Sequence, residues 1–302
     1  FDEFKPLNKQ ELDGNTQDEF QEFDPDSSNV IKTINDKSKS RIHPGYYYAI
    51  GALIFTILAG IFFQFEQTRK LRYLFLLISL VVLGFYRGGC PCMIGGFQDL
   101  WLALFGRDII FHRILWFVGL IPLTYIFGRV WCGWVCPLGA LQEFLYKENS
   151  IKILKSARFQ KILKISQYVF FFALILQILI TRTNLFIRYD PFKVAFNMFS
   201  SNTTGYVLLG LLLISSLLIY RPFCRGICPV GRVLGWINRI PGAWSLNINK
   251  NCVSCQLCAR ECPSHAIDKD CNIHTSECIA CGRCHEKCSK DAIDCGRKSD
   301  EK

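Results

Sequence analysis

Two runs of four cysteines restrict this chain more than any other feature, because residues 252–288 have to fold around two inorganic cores. Cys252, Cys255, Cys258 and Cys262 stand at the spacing C-x2-C-x2-C-x3-C, followed by Pro263. Cys278, Cys281, Cys284 and Cys288 repeat it, with Ser289 in the place of the proline. A cubane iron–sulfur cluster needs four thiolates around one centre, and three closely spaced cysteines in a tight loop supply three of them. In chains with two such runs, each distal cysteine ligates the partner cluster. The spacing therefore assigns cluster I to Cys252, Cys255, Cys258 and Cys288, and cluster II to Cys278, Cys281, Cys284 and Cys262. Zinc sites or a disulfide knot are the alternatives, but zinc motifs rarely place four cysteines within eleven residues, twice. Cys271 and Cys295 lie outside both runs and are expected to leave both clusters intact when replaced. Two [4Fe–4S] clusters imply one-electron chemistry.

Composition sets the surroundings. Of 302 residues, 50% are hydrophobic and 14% aromatic, which is rich for a soluble chain. The apolar residues gather in five segments, 46–65, 71–86, 109–128, 162–181 and 205–220. Each approaches the roughly 20 residues that cross a bilayer as a helix. The net charge of +10 lies in short loops between these segments, a pattern of membrane topology rather than of nucleic-acid binding. Sixteen cysteines with this spacing point to assembly in a reducing compartment. Residues 1–45 carry nine acidic residues before Asn29 and little apolar periodicity, so they read as a flexible acidic tail. The expected organisation is a tail (1–45), a helical membrane domain of about five spans with duplicated halves (46–244), and an α+β two-cluster ferredoxin-like domain (245–302). The first residue is Phe1 rather than Met, so the chain is expected to be processed or incomplete at that end.

Five spans put the tail and the clusters on opposite faces. Loops on the cluster side hold fourteen Lys and Arg, against five in the loops opposite, to which the tail adds Lys32, Lys37, Lys39 and Arg41. That asymmetry makes the cluster face cytoplasmic, in a bacterial-type inner membrane, with the tail outside.

Two further motifs lie on the cluster face. Cys132-Gly-Trp-Val-Cys136-Pro137-Leu-Gly139 follows the third segment, and Cys224-Arg-Gly-Ile-Cys228-Pro229-Val-Gly231 follows the fifth. Each is C-x3-C-P-x-G, and each leads into an amphipathic stretch. Duplicated membrane halves place equivalent elements side by side about a pseudo-two-fold axis. Cys132, Cys136, Cys224 and Cys228 would then face one another and hold a third [4Fe–4S] cluster. Zinc suits four thiolates equally well, and structural thiols at helix ends are the plainer reading.

On the opposite face, Cys90-Pro91-Cys92 opens a glycine-rich stretch that runs to Gln98-Asp99. Two close sulfurs half-fill a four-coordinate site, so a partner subunit or a second copy of the chain would supply the other two. Among five histidines only His112 falls inside an apolar segment, and no C-x2-C-H occurs. Haem is therefore not expected in this chain.

Cys132 to Glu143, Asp190-Pro-Phe-Lys193, Cys224-x3-Cys228-Pro229 and Cys255-Gln-Leu-Cys258-Ala-Arg-Glu-Cys262-Pro263 together resemble the membrane polyferredoxins of the NosR/NapH type. The resemblance covers roughly residues 70–295 and preserves the order of the motifs. It implies a quinol-linked or flavin-linked electron-donor system serving an anaerobic respiratory or maturation pathway; the expected redox partner is a quinone-reactive protein, a flavoprotein or a cytochrome. Residues 1–45 could not form the flavin domain of the NosR branch, so no covalent flavin is expected. The rival expectations are a cluster-bearing reductase assisting copper-site maturation, and a membrane anchor or assembly scaffold with structural clusters.

Overall fold

The structure, a computed structural model, describes residues 44–86, 93–106, 111–147, 156–183, 191–196 and 203–297. Cys90, Cys92 and Asp190 lie outside the described residues. The first long helix, α1 (Pro44–Gln64), runs through the first apolar segment without a charge. After a 3-10 turn at Arg69–Leu71, α2 (Arg72–Ser79) continues as a π-helix over Leu80–Tyr86. Helices α3 (Met93–Ala103) and α4 (Phe111–Phe127) pack against each other, and α4 also packs on α1. A π-helical turn at Trp131–Val135 leads into α5 (Pro137–Leu145). The longest helix, α6 (Ala157–Thr181), starts at an N-cap where the Ser156 hydroxyl accepts from the Phe159 amide. Then come α7 (Pro191–Phe196), α8 (Thr203–Leu218), α9 (Pro222–Gly226) and α10 (Pro229–Ile237).

Two of these helices, α1 and α6, are long and apolar enough to cross a membrane; α4 and α8 are shorter apolar helices. The apolar windows of α1 and α6 are only 33% and 22% buried, the reverse of a core helix in a soluble protein. Ile54 and Leu58 on α1, Phe172 and Leu176 on α6, and Leu211 and Ile214 on α8 all face outward. The segment 71–86, expected as one span, is divided between the α-helix and the π-helix.

The cluster region is small and loop-rich. Strands β1 (Trp244–Ile248) and β2 (Ile293–Arg297) pair antiparallel, from Trp244 opposite Arg297 to Ile248 opposite Ile293. Between them lie two one-turn helices, α11 (Leu257–Glu261) and α12 (Arg283–Glu286), each opening inside a cysteine run.

This region docks on the helical part through backbone carbonyls. The Trp134 indole donates to Ala280 O at 2.9 Å, Arg129 to Ser276 O at 2.6 Å and Asn238 to Thr275 O at 3.0 Å. Gly133 makes the closest approach: a Cβ there would lie 2.0 Å from the Ile279 carbonyl oxygen. Phe63 stacks edge-on to both Trp134 and Trp244, so aromatic packing crosses the same seam.

Because backbone rather than a movable side chain blocks the space, Gly133→Ala has to push the 275–280 loop away. It should cost about 1–3 kcal/mol, as overpacking does. Gly210→Ala, on a helix face with nothing within 4 Å, should cost nothing and even gain from helix propensity. Thermal unfolding of the detergent-solubilised protein should show a lowered transition for the first variant only.

Candidate functional site

Both C-x3-C-P motifs take the same local form. Cys136 and Cys228 are helix N-caps with nearly equal dihedrals (φ −60°, ψ 114° and φ −62°, ψ 113°), and proline follows at the first helical position. Proline is favoured there because it needs no hydrogen bond and its φ is already helical. The Gly231 amide donates to the Cys228 sulfur at 3.4 Å, and the Gly139 amide lies against the Cys136 sulfur. Each glycine leaves room for an arginine from the other motif: Arg221 presses on Gly139, and Arg129 on Gly231. Arg129 and Arg221 each stand three residues before the first cysteine of their own motif, so the bracing is reciprocal.

Cys132, Cys136, Cys224 and Cys228 line one cavity of about 70 Å³, together with Arg129, Arg221, Arg225 and Gln167. The Gln167 amide donates to the carbonyls of Cys224 and Cys228 at 3.1 and 2.9 Å, fixing the turn between them. A second cavity is lined by Cys262, Cys278, Cys281 and Cys284, and a third by Cys252, Cys255, Cys258 and Cys288. The twelve cysteines named in these three sets are all free thiols.

The chemistry of these donor sets decides what they could hold. Among the described residues, no three Cys, His, Asp or Glu side chains converge closely enough for a single metal ion. Zinc would draw thiolates to about 2.3 Å from one point. A four-iron core interposes its own iron and sulfide, so it accepts four thiols spread around a cavity. Burial, opposed by Arg221 and reinforced by Cys132, pushes the Cys224 thiol up to about 11. Burial and then Cys281 push Cys278 up to about 12. Thiols in such places lose their protons only when a cationic core replaces them. The residues fit [4Fe–4S] clusters.

A carboxylate joins two of the cavities. Glu143, on α5, is buried among Arg72 (2.6 Å), Arg221 (2.5 Å) and the Tyr220 hydroxyl (2.9 Å), and its other oxygen accepts from Arg283 at 3.3 Å. Arg221 reaches on to the Cys132 carbonyl, and Arg72 donates to the Gly133 carbonyl at 3.1 Å. Arg283 lies next to the ligand candidate Cys284 and also donates to Tyr73 at 3.0 Å. Burial opposes ionisation of Glu143, but Arg221 and Arg72 more than offset it and hold the carboxyl down at about 2. Sequence reading had Gln142-Glu143 only as part of a motif. Nothing local marks it as the partner of arginines 71 to 140 residues away.

Cys271 is a second residue that the spacing missed. It lines the third cavity with Cys252, Cys255, Cys258 and Cys288. Cys295 instead lies on β2, where Arg69 donates to its sulfur at 3.4 Å. His112 packs edge-on to Tyr46, near Gly45.

Helical apolar segments and cysteine sets of this kind define an iron–sulfur electron-transport protein. The profile of a family described as a 4Fe-4S binding domain matches residues 109–165 and 201–247, and each matched segment contains one C-x3-C-P motif. An uncharacterized protein of Methanocaldococcus jannaschii is 33% identical over 203 residues, covering 66% of this chain and 75% of that one. The regulatory protein NosR of Stutzerimonas stutzeri is 28% identical over 227 residues, covering 69% of this chain but only 31% of NosR. The methylamine utilization ferredoxin-type protein MauN of Methylobacillus flagellatus is 28% identical over 142 residues, 45% of this chain and 48% of MauN. No solved structure matches. The chain belongs to the NosR/NapH-type polyferredoxins.

Glu143→Gln keeps the shape but leaves buried guanidinium groups short of their counter-charge. It should cost about 3–5 kcal/mol, the usual result of breaking a buried pair from one side. Glu143 is lowered from an unfolded value of about 4.3, so its contribution is complete above that value and is lost only as pH falls toward 2. The stability gap between wild type and variant should therefore stay constant from pH 8 to pH 5, as measured by denaturant unfolding at each pH.

Proposed function

We propose that this protein passes single electrons between a membrane or outer-face partner (a quinol, a flavoprotein or a cytochrome) and a partner on the cytoplasmic face, in an anaerobic-type respiratory system. The observation that carries this reading is the adjacency of the thiol-lined cavities. Ser264 and Ile279 line both the C-x3-C-P cavity and the Cys262/Cys278/Cys281/Cys284 cavity, so the two share a wall. Helices α11 and α12 pack together, and the Cys284 thiol feels the charge of Cys258, which brings the third cavity next in line. In this reading Cys132, Cys136, Cys224 and Cys228 hold one [4Fe–4S] cluster. Cys278, Cys281, Cys284 and Cys262 hold the second, and Cys252, Cys255, Cys258 and Cys288 the third.

Each cluster, when bound, accepts and returns one electron at a potential set by its charge, hydrogen bonds and solvent exposure. The chain supplies the rest. Trp131, Phe223 and Val230 line the first cavity and keep water from it. Arg129, Arg221 and Arg225 set positive charge against four thiolates, and the reciprocal Arg–Gly bracing fixes the distance between the two motifs. The outward apolar faces of α1, α4, α6 and α8 suit lipid, which supports a membrane setting; in this reading the chain crosses five times, with the cluster region on the cytoplasmic side. Clusters on one face leave most of a hydrocarbon core about 30 Å thick uncrossed. A quinone, a partner's cofactor or a centre at Cys90 and Cys92 has to complete the route.

Iron analysis of anaerobically purified protein tests the reading. Three cubanes require about twelve iron per chain, against about eight for the ferredoxin pair alone. Cys224→Ala should lose about four iron and abolish reduction of the remaining clusters by quinol in proteoliposomes, while dithionite still reduces them. A fully loaded wild type near eight iron, with zinc absent, overturns the cluster at Cys132, Cys136, Cys224 and Cys228. Quinol reduction unchanged in Cys224→Ala overturns its place in the route.

A further inference from the structure

The cavity assigned above to Cys252, Cys255, Cys258 and Cys288 contains five cysteines. The fifth, Cys271, comes from neither run. It sits at the end of the hairpin turn between Ile267 and Ile273, which pair as an isolated antiparallel bridge. The Cys271 amide donates to Asp268 O at 3.0 Å, and the Asp268 amide to Asn272 O at 3.0 Å. That pattern is a three-residue hairpin loop whose last position is left-handed, and glycine is the residue it favours. Cys271 takes the position at φ +61° despite its side chain. A residue held in so sparsely populated a conformation directs attention to what its side chain does.

That side chain is turned inward. Cys271 is buried, with 7% of its surface exposed. Its thiol lies against those of Cys252 and Cys258 in the same cavity, and it accepts the backbone amide of Gln256. Accepting a backbone amide is what the assigned ligand sulfurs do: Cys262 accepts from Ala266 and Cys288 from Ala292, each at 3.3 Å. Cys271 is therefore presented to the cavity in the same manner as a ligand, and by the very loop that carries three of them. Four thiolates complete a cubane, so the set of five holds one in reserve.

We propose that Cys271 is a built-in reserve ligand of this cluster, replacing Cys252 when that thiolate is lost. This rests on the ligand assignment proposed above. With Cys252 in place, Cys271 stands beside the four assigned ligands without being one of them. Without Cys252, it gives its proton to solvent and binds the iron that Cys252 held. One S–H bond is exchanged for one Fe–S bond, and no electron moves. Cys252 is half-exposed and in direct contact with Cys271, so it is both a thiolate open to chemical damage and one that Cys271 can replace with a short movement.

The test compares wild type, Cys252→Ala, Cys271→Ala and the double variant, each purified anaerobically and read by iron content and by EPR of the reduced protein. Wild type has to show two interacting four-iron signals from the ferredoxin region; if it does not, the ligand assignment fails before this proposal is reached. Given those signals, Cys252→Ala should keep iron within about one atom of wild type, with altered g-values for one cluster. Cys271→Ala should keep both clusters. The double variant should lose one cluster, about four iron, or retain it only as a three-iron form. The signal of the other cluster serves as the check on folding throughout. Loss of the cluster in Cys252→Ala as complete as in the double variant overturns the proposal. Its retention in both overturns it as well.

Discussion

The contact on which the rest of the structure depends is the one between Glu143 and its three guanidinium groups. Arg72 comes from the second apolar segment, Arg221 from the approach to the second C-x3-C-P motif, and Arg283 from the second cysteine run. One carboxylate therefore ties together three parts of the chain that are far apart in sequence. A buried ion pair is weak evidence of stability, because desolvation offsets much of the attraction. Its value here lies in geometry, since the carboxylate has few other ways to satisfy three cations at once. Tyr220 fills a further acceptor position, so the arrangement leaves little slack. Through Arg221 on the Cys132 carbonyl and Arg72 on the Gly133 carbonyl, it also holds the first C-x3-C-P turn against the cavity and the 275–280 loop.

The surplus charge has a use. Three guanidinium groups against one carboxylate leave positive charge in the interior, and that charge faces sulfur. Arg221 interacts with Cys224 and Cys136, and Arg72 with Cys281. Four thiolates in a low-dielectric cavity repel one another strongly, and fixed cations nearby ease the crowding. The same cations favour the reduced state of whatever the thiolates hold, because reduction adds negative charge. Arg129 acts alike on Gly231 and on the Ser276 carbonyl, so each motif is braced and neutralised by the arginine of the other.

The chemistry of the site was legible wherever the spacing was local. C-x2-C-x2-C-x3-C is a property of one loop, and so are Cys-Pro at a helix start and Gly three residues after the second cysteine. The structure collects those cysteines into three cavities without any information beyond the runs themselves. Apolar segments were legible as well, though only α1 and α6 reach spanning length, and residues 71–86 divide between α- and π-helix. What could not be read was a pairing set by tertiary contact outside the repeated cysteine motifs. Cys271 looked surplus because it lies nine residues past one run and seven before the next. Only the hairpin, with a left-handed residue at its end, turns it back toward Cys252 and Cys258.

Arginine shows the same boundary from the other side. Counting cations loop by loop treats each as a marker of the membrane face it occupies. Five of the fourteen counted for the cluster face, Arg69, Arg72, Arg129, Arg221 and Arg232, are 6% exposed or less. Each is engaged by backbone carbonyls, glutamate or glutamine rather than by solvent or headgroups. They are basic because thiolates and carbonyls inside the protein need donors, and that requirement would hold whichever way the chain crossed a membrane. Nine cations then remain against five. With Lys32, Lys37, Lys39 and Arg41 of the tail added to those five, the two sides are level at nine each, and the removed residues gain a physical cause that the loop count alone does not contain. In a chain whose cysteine-lined cavities sit at the ends of its apolar helices, positive charge at those ends answers two demands, and only the burial of each side chain separates them.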